Sequence, residues 1–175
     1  MKIKNVIKLI SAITILLGLS ACGSDERDNT RLITFHIANS RSIASELSRT
    51  PVVMPISGLN VIMEKKQFMY TGDLKRVDLA QITLPDGATI LGYNFLCNER
   101  GTRHLMRETG ANMGGYIIVL YDGNPIAVRK IDMMITDGSF FAPAEIADEK
   151  KIKEIFEKMD KSISVTEEIK KENEW

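Results

Sequence analysis

Cysteine is nearly absent from this chain: Cys22 and Cys97 are the two in 175 residues. That scarcity excludes the disulfide framework by which small secreted domains replace a large core. Histidine is equally rare. His36 and His104 stand far apart with no ligand-spaced partner, and they read as surface or half-buried side chains rather than zinc ligands. No apolar run reaches the roughly 20 residues that a membrane-spanning helix needs. Neither sign of charge dominates, with 23 basic residues against 23 acidic ones. The serine-hydrolase elbow, the helical zinc motif, the paired-cysteine motif and the calcium loop are all missing. The glycine-rich stretch 110–115 lacks the Lys-Ser/Thr of a phosphate loop and the spacing of a dinucleotide loop. The expectation is a chain with no catalytic residue, no metal and no cofactor. At 44% hydrophobic and 26% charged it is neither disordered nor collagen-like, and its length suits one domain.

What is present begins with an asymmetry at the N-terminus. Residues 1–21 hold Lys2, Lys4 and Lys8 and no acid, followed by an apolar run from Leu9 to Leu19. A basic start, a short apolar stretch and small residues read as a secretory signal peptide. The run ends in Leu19-Ser20-Ala21-Cys22, which resembles the bacterial lipobox. That resemblance implies cleavage before Cys22, a diacylglycerol thioether on its sulfur and acylation of its new amino terminus. Removing residues 1–21 takes three lysines and no acid, leaving 20 basic and 23 acidic side chains, a net charge of −3. A mildly acidic body is a poor nucleic-acid binder, and charge alone does not hold it on anionic lipid. An acylated Cys22 cannot pair with Cys97. Cys97 lies in an alternating run with Tyr93 and Phe95, so it reads as a buried apolar residue rather than a nucleophile.

Residues 22–31 are polar and charged and read as a flexible tether. A body is expected over 32–160. The alternation of Ile33, Phe35 and Ile37 predicts a half-buried strand, and Ile43, Ala44 and Leu47 a short helix within 39–48. Pro51, Pro55 and Gly58 predict a loop. Strands are predicted over 59–64, 77–84 and 89–97, the last two joined by the turn Pro85-Asp86-Gly87. Asn98 can cap a helix to about Thr109, with Leu105 and Met106 facing inward. Tyr116–Tyr121 is apolar throughout, as a strand covered on both faces would be. Asp122-Gly123 turns into a strand over 126–135, and Ser139–Phe141 follows another turn at Asp137-Gly138. Asp148 suits the N-cap of a helix whose Ile152, Ile155, Phe156 and Met159 form one apolar stripe. Residues 161–175 are charged and weakly periodic, and read as a disordered tail. The sum is an α+β fold: a mostly antiparallel sheet with two longer helices packed on one face.

Several of these residues, taken together, carry a resemblance. Phe95-Leu96, Gly101, Thr109, Asn112, Gly114 and the run Ile117–Gly123 are similar to the head of the first periplasmic domain of SecD and SecDF. Ile131, Ile135–Gly138 and the acid-capped helix from Asp148 continue the pattern, with Met63–Lys66 and Thr71–Leu74 fitting it more loosely. The chain departs from that family at Arg129, where a proline is usual, and at Ala142-Pro143-Ala144, which replaces a glycine-containing turn. The family's transmembrane helices, which couple proton flow to late protein export, have no counterpart after residue 21.

The resemblance implies a fold and a capacity to touch unfolded or secreted polypeptide. The functional expectation is a lipid-anchored, non-catalytic envelope binding module that holds a peptide at a sheet edge near Ser139–Ala142 or in a Met- and Phe-bearing groove. Met54, Met63, Met69, Met113, Met133 and Met134 are candidates to line such a surface or, alternatively, to fill the core. The alternative function is an accessory lipoprotein with one dedicated envelope partner; a hydrolase is disfavoured for want of a nucleophile–base pair. Gly23 after the acylated cysteine, instead of the aspartate that resembles an inner-membrane retention signal, favours a periplasm-facing anchor in the outer membrane.

Overall fold

The computed structural model describes residues 32–39 and 48–173. The expected signal peptide, Cys22, the expected tether and most of the helix expected within 39–48 lie outside these residues. Among the described residues nine strands and two α-helices follow in chain order. They are β1 (Ile33–Asn39), β2 (Arg49–Val53), β3 (Asn60–Glu64), β4 (Met69–Tyr70), β5 (Leu74–Thr83), β6 (Thr89–Cys97), α1 (Glu99–Ala111), β7 (Tyr116–Tyr121), β8 (Asn124–Lys130), β9 (Ser139–Pro143) and α2 (Glu149–Asn173). A single 3-10 turn, Thr71–Asp73, joins β4 to β5. Every strand pairing among them is antiparallel, so the α+β expectation holds.

The strands divide between two sheets. The larger has the order β2-β3-β1-β7-β8, with β4 also paired to β1, and the smaller has the order β5-β6-β9. They meet at a bridge between Ala127 and Ala144, where the amide of Glu145 also donates to the carbonyl of Ile126 at 2.8 Å. β7 is covered on both faces, as its unbroken apolar run predicts. Ile117, Val119 and Tyr121 enter the main core, while Ile118 and Leu120 enter a second cluster on the opposite face with Met54, Val61 and Met63. β1 lies beside it and is buried on both faces too. The half-buried strand expected from its alternation is therefore corrected: His36 is only 5% exposed.

The main core fills the space between the sheets and the helices. Phe35 of β1 meets Phe95 of β6 edge to face with ring centroids 5.1 Å apart, and Phe140 of β9 closes the group 5.3 Å from Phe95. Tilted and edge-to-face aromatic pairs contribute about 0.5–1.5 kcal/mol beyond their buried area. Leu105 of α1 and Ile152, Met159 and Ile163 of α2 complete this core. The two-residue connection Asp122-Gly123, both at positive φ, gives the β7–β8 hairpin the local twist such a loop needs.

Three further expectations are corrected. The loop anticipated around Pro51 contains β2; the strand lies at a sheet edge, where a proline costs no interior ladder bond. The strand anticipated over 126–135 ends at Lys130. The tail anticipated from 161 onward continues α2 as helix to Asn173. Ile163, one turn beyond Met159, stays buried in the main core. The hydroxyls of Ser162, Ser164 and Thr166 donate to carbonyls four residues back, and Lys170 Nζ donates to the Gly72 carbonyl at 2.8 Å.

Candidate functional site

The six methionines singled out in the sequence separate cleanly. Met54, Met63 and Met69 are buried core residues. Met113, Met133 and Met134 are exposed at 58%, 66% and 49%, and the expectation that Met106 faces inward beside Leu105 is corrected: Leu105 is fully buried, whereas Met106 lies on the outer side of α1 at 39% exposure.

This methionine surface is built where the chain leaving β8 crosses the end of α1. The amide of Gly114 donates to the carbonyl of Ile131, and the amide of Ile131 to the carbonyl of Gly115, each at 2.8 Å. Thr109 Oγ1 accepts the amide of Ile135 at 3.0 Å, which pins the segment a turn farther along the helix. Between these ties Met134 lies over Gly110, where an added Cβ would come within 3.2 Å of its Sδ. The absence of a side chain at 110 thus lets Met134 lie close against the helix. Methionines are unbranched and polarizable, so a cluster of them adapts to partners of varied shape.

The other anticipated surface is the outer edge of β9. In β9, Phe140 and Ala142 are buried, one side of the strand pairs with β6, and beyond its end Ala144 bridges to β8. β9 ends the smaller sheet, so among the described residues the side of Ser139–Ala142 away from β6 carries no ladder pairing, and the bridge at Ala144 limits the edge at its far end.

Two titratable residues weighed for chemistry have structural settings. Burial pushes the Cys97 thiol up to about 12, and the charges of Asp73 and Asp137 act in the same direction. A thiol in that environment stays protonated and unreactive at neutral pH. His36 is held between the Glu64 carbonyl, 2.8 Å from Nδ1, and Thr34 Oγ1, 3.0 Å from Nε2. A carbonyl only accepts, so Nδ1 carries the proton and Nε2 accepts from the threonine hydroxyl. His104 lies at a cleft of about 410 Å³ between α1 and the β3–β4 region, where Glu64, Lys66, Tyr70, Arg107 and Glu108 also line the wall. Its Nδ1 is buried without a hydrogen-bond partner. Among the described residues no group of three or more His, Cys, Asp or Glu side chains is placed to hold a metal ion. Among the same residues no helix is long and apolar enough to cross a membrane.

No protein-family model matches the chain, and no curated protein does. Among solved structures it is similar to SecDF, described as a membrane component that enhances protein export. The identity is 14% and the TM-score 0.51, over 81% of this chain and 70% of that one. It is also similar to SecDF in its super-membrane-facing form, at 13% identity and a TM-score of 0.50, over 79% of this chain. The chain spans only 21% of the length of that second protein. At these identities the likeness is one of fold: this chain shares the architecture of a SecDF domain.

Proposed function

We propose that this chain is a lipid-anchored, non-catalytic module of the bacterial envelope that binds polypeptide on its periplasmic side. The observation that carries the reading is the SecDF-like fold over 81% of the chain, since SecDF is described as enhancing protein export. The exposed methionines at the end of α1 supply a surface of suitable chemistry, because an adaptable apolar patch accepts unrelated apolar segments without demanding one shape. The anchor reading comes from the lipobox-like Leu19–Cys22, and Gly23 favours the outer membrane.

A photo-crosslinking residue at Met133 tests this in cells, because that side chain projects into solvent and its replacement disturbs no core contact. The expected result is capture of several secreted or envelope chains. A crosslinker at the buried Phe140 serves as the negative control. Capture of one stoichiometric partner at Met133 would instead favour a dedicated accessory role. Capture no greater than at Phe140 would overturn the use of this surface.

A further inference from the structure

A second cleft, of about 630 Å³, opens beside the 3-10 turn. Four basic side chains from three elements line it: Lys75 at the start of β5, Arg100 and Arg103 on the first turns of α1, and Lys170 near the end of α2. Glu99 is the one acid in the described wall. Arg100 is engaged by Asp73, and Lys170 by Glu167 and the Gly72 carbonyl. Arg103 reaches Glu99 only at 4.0 Å, with both side chains largely in water, and Lys75 has no acidic partner among the described residues. Two cations are therefore weakly committed, and the engaged pair lines the same wall. The N-terminus of α1 is not the source of the attraction, because Asn98 Oδ1 already accepts the amide of Gly101.

The cleft also has a defined place in the fold. Thr71 Oγ1 accepts the amide of Ile33 at 2.9 Å, so Gly72 in the cleft wall adjoins the residues where β1 begins. Residue 22 lies ten residues before Leu32 in the sequence. Ten residues extend at most roughly 33–36 Å. A body held by a lipid on Cys22 keeps this end within that distance of the bilayer surface. The placement and the net charge of the cleaved chain rest on the anchor proposed above, whereas the cations that line the cleft do not.

We propose that this cleft binds a phosphate group, and that its occupant is the phosphodiester headgroup of an anionic phospholipid. The chain from Cys22 onward carries a net charge of −3 and is repelled by an anionic surface as a whole, so contact requires a local cluster of cations. Arg103 and Lys75 would take the phosphate oxygens, a fork and a point charge respectively. Arg100 and Lys170 would add field from the wall without leaving their partners.

The test uses the full chain in an uncharged detergent, followed by amide NMR. Three probes are titrated: dihexanoyl phosphatidylglycerol, dihexanoyl phosphatidylcholine and inorganic phosphate. Expected are saturable shifts at Gly72, Lys75 and Asn98–Arg103 with the phosphatidylglycerol and none with the phosphatidylcholine. The double variant Lys75→Gln/Arg103→Gln, altered only at exposed positions, should weaken that binding by about tenfold. Equal shifts and equal affinity with inorganic phosphate would overturn the headgroup as occupant. The absence of saturable shifts with all three, or binding unchanged in the double variant, would overturn the site. None of these readouts needs Cys22 to be acylated, so failure here is distinct from failure of the anchor.

Discussion

Arg100 Nε donates to Asp73 Oδ1 at 2.6 Å, joining a half-exposed guanidinium on α1 to a carboxylate whose side chain is 1% exposed. The other carboxylate oxygen accepts the amide of Tyr70 at 3.1 Å, and Arg100 Nη2 donates to the Tyr70 hydroxyl at 2.6 Å. The pair thereby fixes the 3-10 turn against the start of α1. Gly101 allows the approach, since a Cβ there would run into the Asp73 carbonyl and come within 3.1 Å of Cys97 Cβ. The burial is one-sided, and so are the consequences of breaking the pair. Arg100→Ala strands a buried carboxylate, at a cost of about 3 kcal/mol. Adding Asp73→Asn to that variant removes the stranded charge. The double variant should be more stable than Arg100→Ala alone by urea denaturation; a double variant that is less stable would mean the charge pair is not the governing interaction.

Removal of residues 162–175 should destabilise the body, although their composition is that of a solvated tail. Ile163 packs in the main core, and loss of a buried isoleucine costs about 2–5 kcal/mol. The tie from Lys170 to Gly72 goes with it. A lower urea midpoint is expected, and Ile163→Ala in the full chain should reproduce most of the drop. A truncated chain as stable as the full one would show that α2 does not dock beyond Lys161.

These particulars explain what the sequence made legible. The unbroken apolar run of β7, the alternation of β6 and the Asn98 cap are local signals, and each element forms where it is predicted. The extension of α2 is hidden because Ser162, Ser164 and Thr166 favour caps and turns by propensity, while the burial of Ser162 and Ile163 that holds the extra turns in place is a tertiary outcome. The division into two sheets rests on pairings such as Phe95 with Phe140, which no local pattern encodes. The same holds for function. Met63 and Met133 are indistinguishable as residues, and only the fold puts one in a core and the other in water. The basic cleft gathers positions 75, 100, 103 and 170, a cluster invisible along the chain.

Acid should weaken the fold through His36. Burial lowers its pKa below the ordinary 6.5, with the Glu64 carbonyl bond partly opposing. The unfolded chain therefore takes the proton at higher pH than the folded one. The stability gained by keeping the ring neutral is complete above about 6.5, declines as pH falls toward the folded-state pKa and levels off below it. His36→Gln should flatten that part of the pH–stability curve relative to the unaltered chain. NMR should find the ring titrating below 6.5; a midpoint above that value would contradict the assigned cause.

Cys97 should react slowly with a maleimide. Its thiol is buried and its pKa is pushed up to about 12, so both access and thiolate fraction are low at neutral pH. In the Cys22→Ala chain, labelling should be slow in buffer and rapid in denaturing urea. Native labelling as fast as in urea would place the thiol at the surface and contradict the packing of β6 against the β4–β5 turn.

The anchor has its own measurement. If Leu19–Cys22 directs acylation, Cys22→Ala removes the sulfur that carries the diacylglycerol, and no other thiol is available near the cleavage point. One acyl chain holds a protein to a bilayer only marginally, whereas two or more give stable attachment. The thioether diacylglycerol with an N-acyl group belongs to the second regime. The unaltered chain should therefore sediment with envelope membranes and resist extraction by high salt. The Cys22→Ala chain should lose the mass of the acyl groups. It should also either shift to the soluble periplasmic fraction or, if cleavage requires the modification, stay attached through residues 1–21 as a longer species. Mass spectrometry separates these cases. An unaltered chain whose mass shows no acyl group would remove the lipid from the proposed function while leaving the methionine surface to be judged by crosslinking.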